Sequence, residues 1–318
     1  MTDMNSEALR YLDHYTSLYE IVTSHHLTAK SDKQVLGKNT FQCRFCGNIK
    51  PNVTFKKKAH AIPEFIGNRA LFSQWECDQC NSKFGRLLEA NFANFMHLNH
   101  TLYGISGKNG NPVFKTGDGT RIETKDSLID WQGVPDENIE LDTANSSVQI
   151  KQKMPSFIPV AVFKTLVKMA LTIIPETELK YFSNTIEWLL EDEHRTSRFL
   201  INDLWMYYGT FESADRCDQL SVVLAKKRQL DNQQLPYMLF NLNYGNFDFQ
   251  LPIPLCTIDE DRIFNQSSIT YLPHLTDFKH GFGKMALHAF NMYYKEQIVG
   301  KEMTFILTDI SGNGTIAK

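Results

Sequence analysis

No stretch of this 318-residue chain stays apolar long enough to cross a bilayer: the longest apolar run, Phe157 to Ile174, is broken by Pro159, Lys164 and Lys168. The N-terminus lacks the basic-then-apolar pattern of a secretion signal. Together these absences predict a cytoplasmic protein. Cysteine is scarce: only six occur, four in two close pairs and two, Cys217 and Cys256, alone. That is a pattern of reduced thiols rather than of a disulfide framework. Positive charge is not in excess either, the formal net charge being -3, which argues against a chain that is basic throughout. There is no internal repeat and no low-complexity tract. What is present, 42% hydrophobic and 12% aromatic, is the composition of a globular protein long enough for about two or three domains with a sizeable core.

The few cysteines carry the most information. Cys43-x2-Cys46 and Cys77-x2-Cys80 stand about thirty residues apart, and each short pair forms a tight knuckle presenting both sulfurs, so that four thiolates can surround one Zn²⁺ tetrahedrally. The spacing alone suits a structural zinc finger or ribbon equally well. Between the pairs lies Ala59-His60-Ala61-Ile62-Pro63-Glu64, and Asn81 directly follows the last cysteine. Charge is concentrated here too: residues 38 to 86 hold nine Lys or Arg against three acids, a local +6 that leaves -9 for the remainder. A small basic module on an acidic chain is the electrostatic footprint of a domain that touches phosphates. Lys56, Lys57 and Lys58, just before His60, are candidate phosphate contacts with Lys83 and Arg86. A solvated lysine face is the other reading of the triple run.

Apolar spacing of three and four at Leu9, Leu12, Tyr15, Leu18 and Val22 predicts an amphipathic helix over residues 6 to 24. Residues 25 to 40 are polar, contain Gly37 and read as a linker. Within the cysteine module the order is a knuckle at Phe41 to Gly47, a strand from Val53 to Ile62, a turn at Pro63 and the second knuckle. A helix from Cys80 to about Leu98 then has Phe84, Leu88, Phe92, Phe95 and Leu98 facing a core. Residues 104 to 153, rich in Gly, Asp, Asn and Thr, predict a hairpin-rich connector with a tight turn at Lys108-Asn109-Gly110-Asn111. Helices are expected after Pro159 and Pro175 and around Phe199 to Tyr208. Strands follow at Leu220 to Leu224, Pro236 to Asn243, Phe247 to Leu255 and Met303 to Leu307, with a hairpin turn at Asn243-Tyr244-Gly245-Asn246. The predicted class is α+β: an N-terminal helix and linker over 1–36, a zinc-stapled module over 37–103, the connector, and a C-terminal domain of helices followed by an antiparallel sheet over 154–318.

Cys43-x2-Cys46, Ala59-His60-Ala61-Ile62-Pro63-Glu64, Asn68, Cys77-Asp78-Gln79-Cys80-Asn81 and Phe84-Gly85 together resemble the HNH endonuclease family over roughly residues 41 to 100. The resemblance implies a ββα-metal motif in which two strands and a helix grip a divalent cation under the scissile phosphodiester. It implies His60 as general base, Asn81 as metal ligand, Mg²⁺ or Mn²⁺ as the catalytic cation, a closed structural Zn²⁺ on Cys43, Cys46, Cys77 and Cys80, and DNA as the substrate. Proteins resembling this family often serve in bacterial restriction or phage defence, a setting that nothing in these residues specifies. The residue types suit the chemistry. A histidine that stays neutral can deprotonate the attacking water, and a cation held by few protein ligands keeps sites open for water and phosphate oxygens.

The chain departs from the commoner family pattern where an acid directly precedes the histidine and ligates the metal: here that residue is Ala59. Glu64 is the nearest replacement, followed by Glu76 and Asp78, and His60 is itself a candidate ligand. Glu89, eight residues past Asn81, is expected to be out of reach, about 12 Å along a regular helix. Asn81 also suits a helix N-cap. His97 and His100 read as helix-surface residues, and Gly104 to Lys108 as a turn. Ala59 keeps a second class of function open, a non-catalytic zinc module that binds nucleic acid or protein. The C-terminal domain is expected to select a target, sense a signal or bind a partner, whether another protein or a second copy of the chain.

Overall fold

The structure is a computed structural model that describes residues 2–307 apart from 39, 118, 126–127, 143, 145–146, 212–217, 231, 261, 263 and 273–284, with side chains over 9–306. Cys217 lies outside the described residues. Helix α1 (Thr2–Leu18) runs directly into β1 (Tyr19–Leu27), followed by β2 (Gln34–Leu36), β3 (Ala59–His60) and β4 (Leu71–Ser73). A continuous helical stretch comes next: α2 (Asp78–Phe84), a π-helical turn over Gly85–Glu89, and α3 (Ala90–Leu102). The connector forms the meander β5 (Phe114–Lys115), β6 (Arg121–Lys125) and β7 (Leu128–Gln132), then β8 (Ile139–Asp142) and β9 (Ser147–Lys153). Helices α4 (Pro159–Ile173), α5 (Glu176–Leu179) and α6 (Ser183–Leu189) precede β10 (Trp205–Phe211), β11 (Leu220–Lys227), β12 (Met238–Tyr244), β13 (Phe247–Pro252), β14 (Met285–Asn291) and β15 (Glu302–Leu307). Among the described residues no helix is long and apolar enough to cross a membrane.

A six-stranded antiparallel sheet in the order β1-β11-β12-β13-β10-β14 is the largest element. Every residue of β12 is buried, because both faces of the sheet are covered. Period two still sorts the side chains. Met238, Phe240, Leu242 and Tyr244 join the main core, whereas Leu239 joins a second cluster with Tyr15 and Tyr19 from the N-terminal segment. The β12–β13 turn carries Gly245 at φ +54, where a Cβ would lie 2.5 Å from Ile105 Cδ1, so both backbone conformation and space require glycine. Helix α4 begins with Pro159 at its first turn and is buried along its whole length.

Tertiary pairing overrides local pattern at several of the expected elements. The helix foreseen over residues 6 to 24 stops at Leu18. Tyr19–Leu27 pairs with β11 instead, burying Tyr19 and Leu27 at its two ends, and no sequence signal within that stretch announces a partner some 200 residues away. Phe199 to Tyr208 is not a helix: it runs without helix into β10, which is bonded on both edges by β13 and β14. The strand foreseen over 53 to 62 is confined to Ala59–His60, and β2, inside the expected linker, pairs in parallel with β4. Phe84, Leu88 and Phe92 face the main core as expected, but Met96 occupies the next turn, Phe95 is half-buried and Leu98 packs on Phe114 and Ile122 in a separate cluster.

The cysteine module shares one core with the C-terminal sheet. Phe84, Leu88 and Phe92 are buried with α4 and the sheet, and the Phe92 ring meets Phe249 edge-on at 5.5 Å. Arg44, within the first knuckle, clasps the far end of α4: its Nη1 donates to the carbonyls of Leu171, Thr172 and Ile174 at 2.9, 3.1 and 3.0 Å. Its guanidinium also lies 3.5 Å over the Trp75 ring. These are the carbonyls that a helix leaves unpaired at its C-terminus, met by a cation that the helix dipole favours there. Arg44→Met is predicted to cost about 2–4 kcal/mol, as charge-assisted bonds are lost and buried carbonyls left bare. Denaturant unfolding measures it, and an unchanged midpoint would mean that the clasp contributes nothing.

Candidate active site

The four cysteines converge. The Sγ atoms of Cys43, Cys46, Cys77 and Cys80 all lie within 4.8 Å of one another, the one such donor group among the described residues. A tetrahedral Zn²⁺ with Zn–S bonds of about 2.3 Å puts its sulfurs roughly 3.8 Å apart, and Cys46 and Cys77 already stand at 3.9 Å. The first knuckle turns on Gly47, whose φ of +71 few other residues tolerate and whose N–H reaches the Cys43 carbonyl at 2.9 Å. The second is a helix start, where Cys77 is the N-cap of α2 and its sulfur accepts from the Cys80 N–H at 3.4 Å. The thiols share protons unequally: a hydrogen bond from Cys80 draws Cys43 down to about 5, while burial pushes Cys77 up to about 12. Sulfurs this close ionise together only around a cation, so the donor set fits a structural zinc.

His60 and Asn81 are brought to one cleft. His60 ends β3, which pairs antiparallel with β4 through Ala59↔Ser73 and His60↔Phe72. Its ring rests 4.7 Å from Phe72. The loop between the strands is held by Asn68, whose buried carboxamide donates to the Ile62 and Leu71 carbonyls at 2.6 and 2.8 Å and accepts from the Ala70 and Leu71 N–H groups. Two strands followed by α2 therefore form a ββα arrangement, and Asn81 sits in the first turn of that helix. It is not the N-cap, which is Cys77. The cleft has a volume of about 620 Å³ and is lined by His60, Glu64, Asn81, Glu89, His97 and His100, with Lys58 and Lys108 at its walls.

Electrostatics in the cleft favour a neutral imidazole. Burial lowers the pKa of His60 and the charges of Lys168 and Lys108 add to that, while Glu64 and Glu89 pull the other way. Glu64 Oε2 stands 4.0 Å from His60 Nε2. A regular helix puts Glu89 about 12 Å beyond Asn81, but the helix is not regular there. The Ala90 N–H bonds to the Gly85 carbonyl, five residues back, and the π-helical turn brings Glu89 to the same cleft as Asn81. Of the two histidines expected on the helix surface, His97 is half-buried and lines the cleft, whereas His100 is not a surface residue. His100 is buried, Nε2 2.9 Å from Tyr244 Oη, and burial lowers its pKa to about 3. The connector supplies a wall: Gly107 and Gly110 pair at the base of a hairpin, and Gly107 seats against the Phe65 backbone.

Other foreseen residues stand elsewhere. Lys83 Nζ is engaged by the Leu190 carbonyl and by Asp192 at 2.9 Å, and neither Lys83 nor the exposed Arg86 lines the cleft. Asp78 is committed to the loop before β3, accepting from Thr54 Oγ1 at 2.5 Å and from the N–H groups of Lys56 and Lys57 at 2.9 Å each. That bonding displays the exposed Lys56 and Lys57 side chains beside the cleft-lining Lys58. Cys256 is buried away from the cluster, a free thiol whose pKa burial pushes up to about 12.

Residues 43–97 match the family model of the HNH endonucleases, the segment that holds both knuckles, His60, Asn68, Asn81 and Glu89. No curated protein and no solved structure matches the chain. Metal analysis of purified protein is predicted to return one zinc per chain, and Cys80→Ser to unfold the module, since binding and folding are coupled in sites this small. Well-folded protein free of zinc would contradict this.

Proposed function

We propose that this chain is a metal-dependent endonuclease that hydrolyses phosphodiester bonds in DNA. The observation that carries the reading is the convergence of His60, Glu64, Asn81 and Glu89 in one cleft beside the four-cysteine cluster, inside the segment matched to a nuclease family. The cleft offers carboxylate and carboxamide oxygens, the donors that hard divalent cations select. The Asn81 carboxamide has no hydrogen-bond partner among the described residues, which leaves its oxygen free. Asn81, Glu64 and Glu89 would hold Mg²⁺ or Mn²⁺, with Glu64 and Glu89 standing in for the carboxylate absent at Ala59. When bound, such a cation neutralises the charge that gathers on the phosphate and on the departing oxygen.

His60 takes the proton of the attacking water at a ring nitrogen. Burial keeps that nitrogen unprotonated, and the nearby carboxylates Glu64 and Glu89 stabilise the imidazolium as it forms. Phe72 under the ring and the β3–β4 pairing hold its orientation. Lys58 and Lys108, both lining the cleft, bind the phosphates flanking the scissile bond.

His60→Ala is predicted to lower cleavage by about 10²- to 10⁴-fold with zinc content, melting and DNA affinity nearly unchanged, because removing the base acts on the transition state. The acid limb of the wild-type pH–rate profile should lie below the ordinary histidine value, since burial lowers the pKa and the base is lost only on protonation; a limb above that value contradicts the assignment. Lys58→Ala and Lys108→Ala should each weaken DNA binding and reduce the slope of log affinity against log salt by about 0.7–0.9. Unchanged slopes would make both lysines solvent-facing only. If wild type cuts neither DNA nor RNA with Mg²⁺, Mn²⁺ or Ni²⁺, the module is a binding element rather than an enzyme.

A further inference from the structure

A residue far outside the segment matched to the nuclease family reaches a carboxylate that lines the cleft. Lys168 lies on α4, and its side chain is 1% exposed. Its ammonium stands 3.0 Å from Glu76 Oε2 and 3.4 Å from Glu89 Oε1. Glu76 immediately precedes Cys77 of the sulfur cluster, and Glu89 ends the π-helical turn and lines the cleft. One buried cation from the C-terminal domain thus joins the cysteine knuckle to the cleft.

A lysine at this depth needs a reason. Replacing a buried ion pair with apolar side chains of similar volume is often neutral or stabilising, and most other positions of α4 are apolar. Lys164, the helix's other buried lysine, has a local role, donating to the Trp188 carbonyl at 2.5 Å and pairing with Glu191 at 3.2 Å. Glu191 in turn binds Ser197 and the Arg198 N–H, so that lysine organises a loop. Lys168 instead meets two carboxylates, one of which faces the cleft.

We infer that Lys168 is a positioning residue for divalent-cation binding in the cleft: by holding one oxygen of Glu89 it fixes that carboxylate at the end of the π-helical turn, leaving the rest of the group to the cleft. Outer partners of this kind orient a ligand before the metal arrives, and losing one typically costs about 10–100-fold in metal affinity. The inference rests on reading the cleft as a metal-dependent nuclease site. It makes that site a joint product of the nuclease-like module and the C-terminal domain.

The test is Mn²⁺ binding to the full-length zinc-loaded protein, followed by electron paramagnetic resonance, beside Mn²⁺-dependent cleavage. Lys168→Met is combined with Glu76→Gln so that no carboxylate is left buried without its cation. Should that pair fail to fold, Lys168→Gln with Glu76→Gln, which keeps polar partners in place, carries the same comparison. Zinc content and cooperative melting are expected to survive, while Mn²⁺ affinity falls about 10–100-fold and the Mn²⁺ concentration for half-maximal cleavage rises in parallel. Lys168→Arg should retain most of the affinity. In a Glu89→Gln background the Lys168 substitution should add almost nothing, because the carboxylate it positions is gone. Wild-type Mn²⁺ affinity in the folded variant, an equal fall in the Glu89→Gln background, or no Mn²⁺ binding by wild type would each overturn the inference. If the binding pattern holds but wild type cleaves no nucleic acid, the nuclease reading fails and the positioning role stands.

Discussion

Four sulfurs held within 4.8 Å of one another decide where everything else in the cleft stands. The cysteine module contributes only a sheet of three short strands, with the two-residue β3 at its edge, and a helix, too little to fix its own geometry by burial. The sulfur cluster ties the loop at Cys43–Cys46 to the first turn of α2, and Asn81 is the residue next along that turn. On the other side, β3 presents His60 from a strand whose register is locked by the buried Asn68 carboxamide. The relative placement of His60 and the Asn81 carboxamide is thus set by two local devices, the sulfur cluster and the Asn68 hydrogen bonds. Neither depends on a large core.

The larger remainder of the chain supplies what the module lacks. Helix α4 and the six-stranded sheet bury Phe84, Leu88 and Phe92. Arg44 caps α4 from the first knuckle, and Lys168 reaches back from α4 to Glu76 and Glu89. The connector adds a hairpin wall with Lys108. The cleft is lined by the module and the connector alone, but Glu89 is held from α4, so its geometry depends on how the C-terminal domain packs.

Much of the site was legible because its signals are local. Paired CxxC spacing specifies a cluster whatever surrounds it, and Asn81 is fixed to the helix start by following Cys80. The strands β11, β12 and β13 were legible from period two and the Asn243–Asn246 turn. What could not be read depends on distant partners or on a subtle change of helix geometry. Tyr19–Leu27 has apolar residues that suit a helix as well as a strand, and only β11 decides between them. The π-helical turn has no sequence mark, and regular-helix arithmetic gives no sign that Glu89 lines the same cleft as Asn81. His100 is buried by Tyr244, 144 residues away, and Lys83 is engaged by Leu190 and Asp192, neither of which its own neighbourhood reveals.

The central claim is that one cleft holds a divalent cation on Asn81, Glu64 and Glu89 beside a separate closed zinc. Crystals of the full-length protein soaked in Mn²⁺, with anomalous scattering recorded at the zinc and manganese edges, test it most directly. The account predicts a zinc peak among the four sulfurs and a manganese peak in the cleft next to the Asn81 carboxamide and within reach of His60. A cleft without manganese at saturating concentration, or zinc in the cleft and none among the sulfurs, would contradict it.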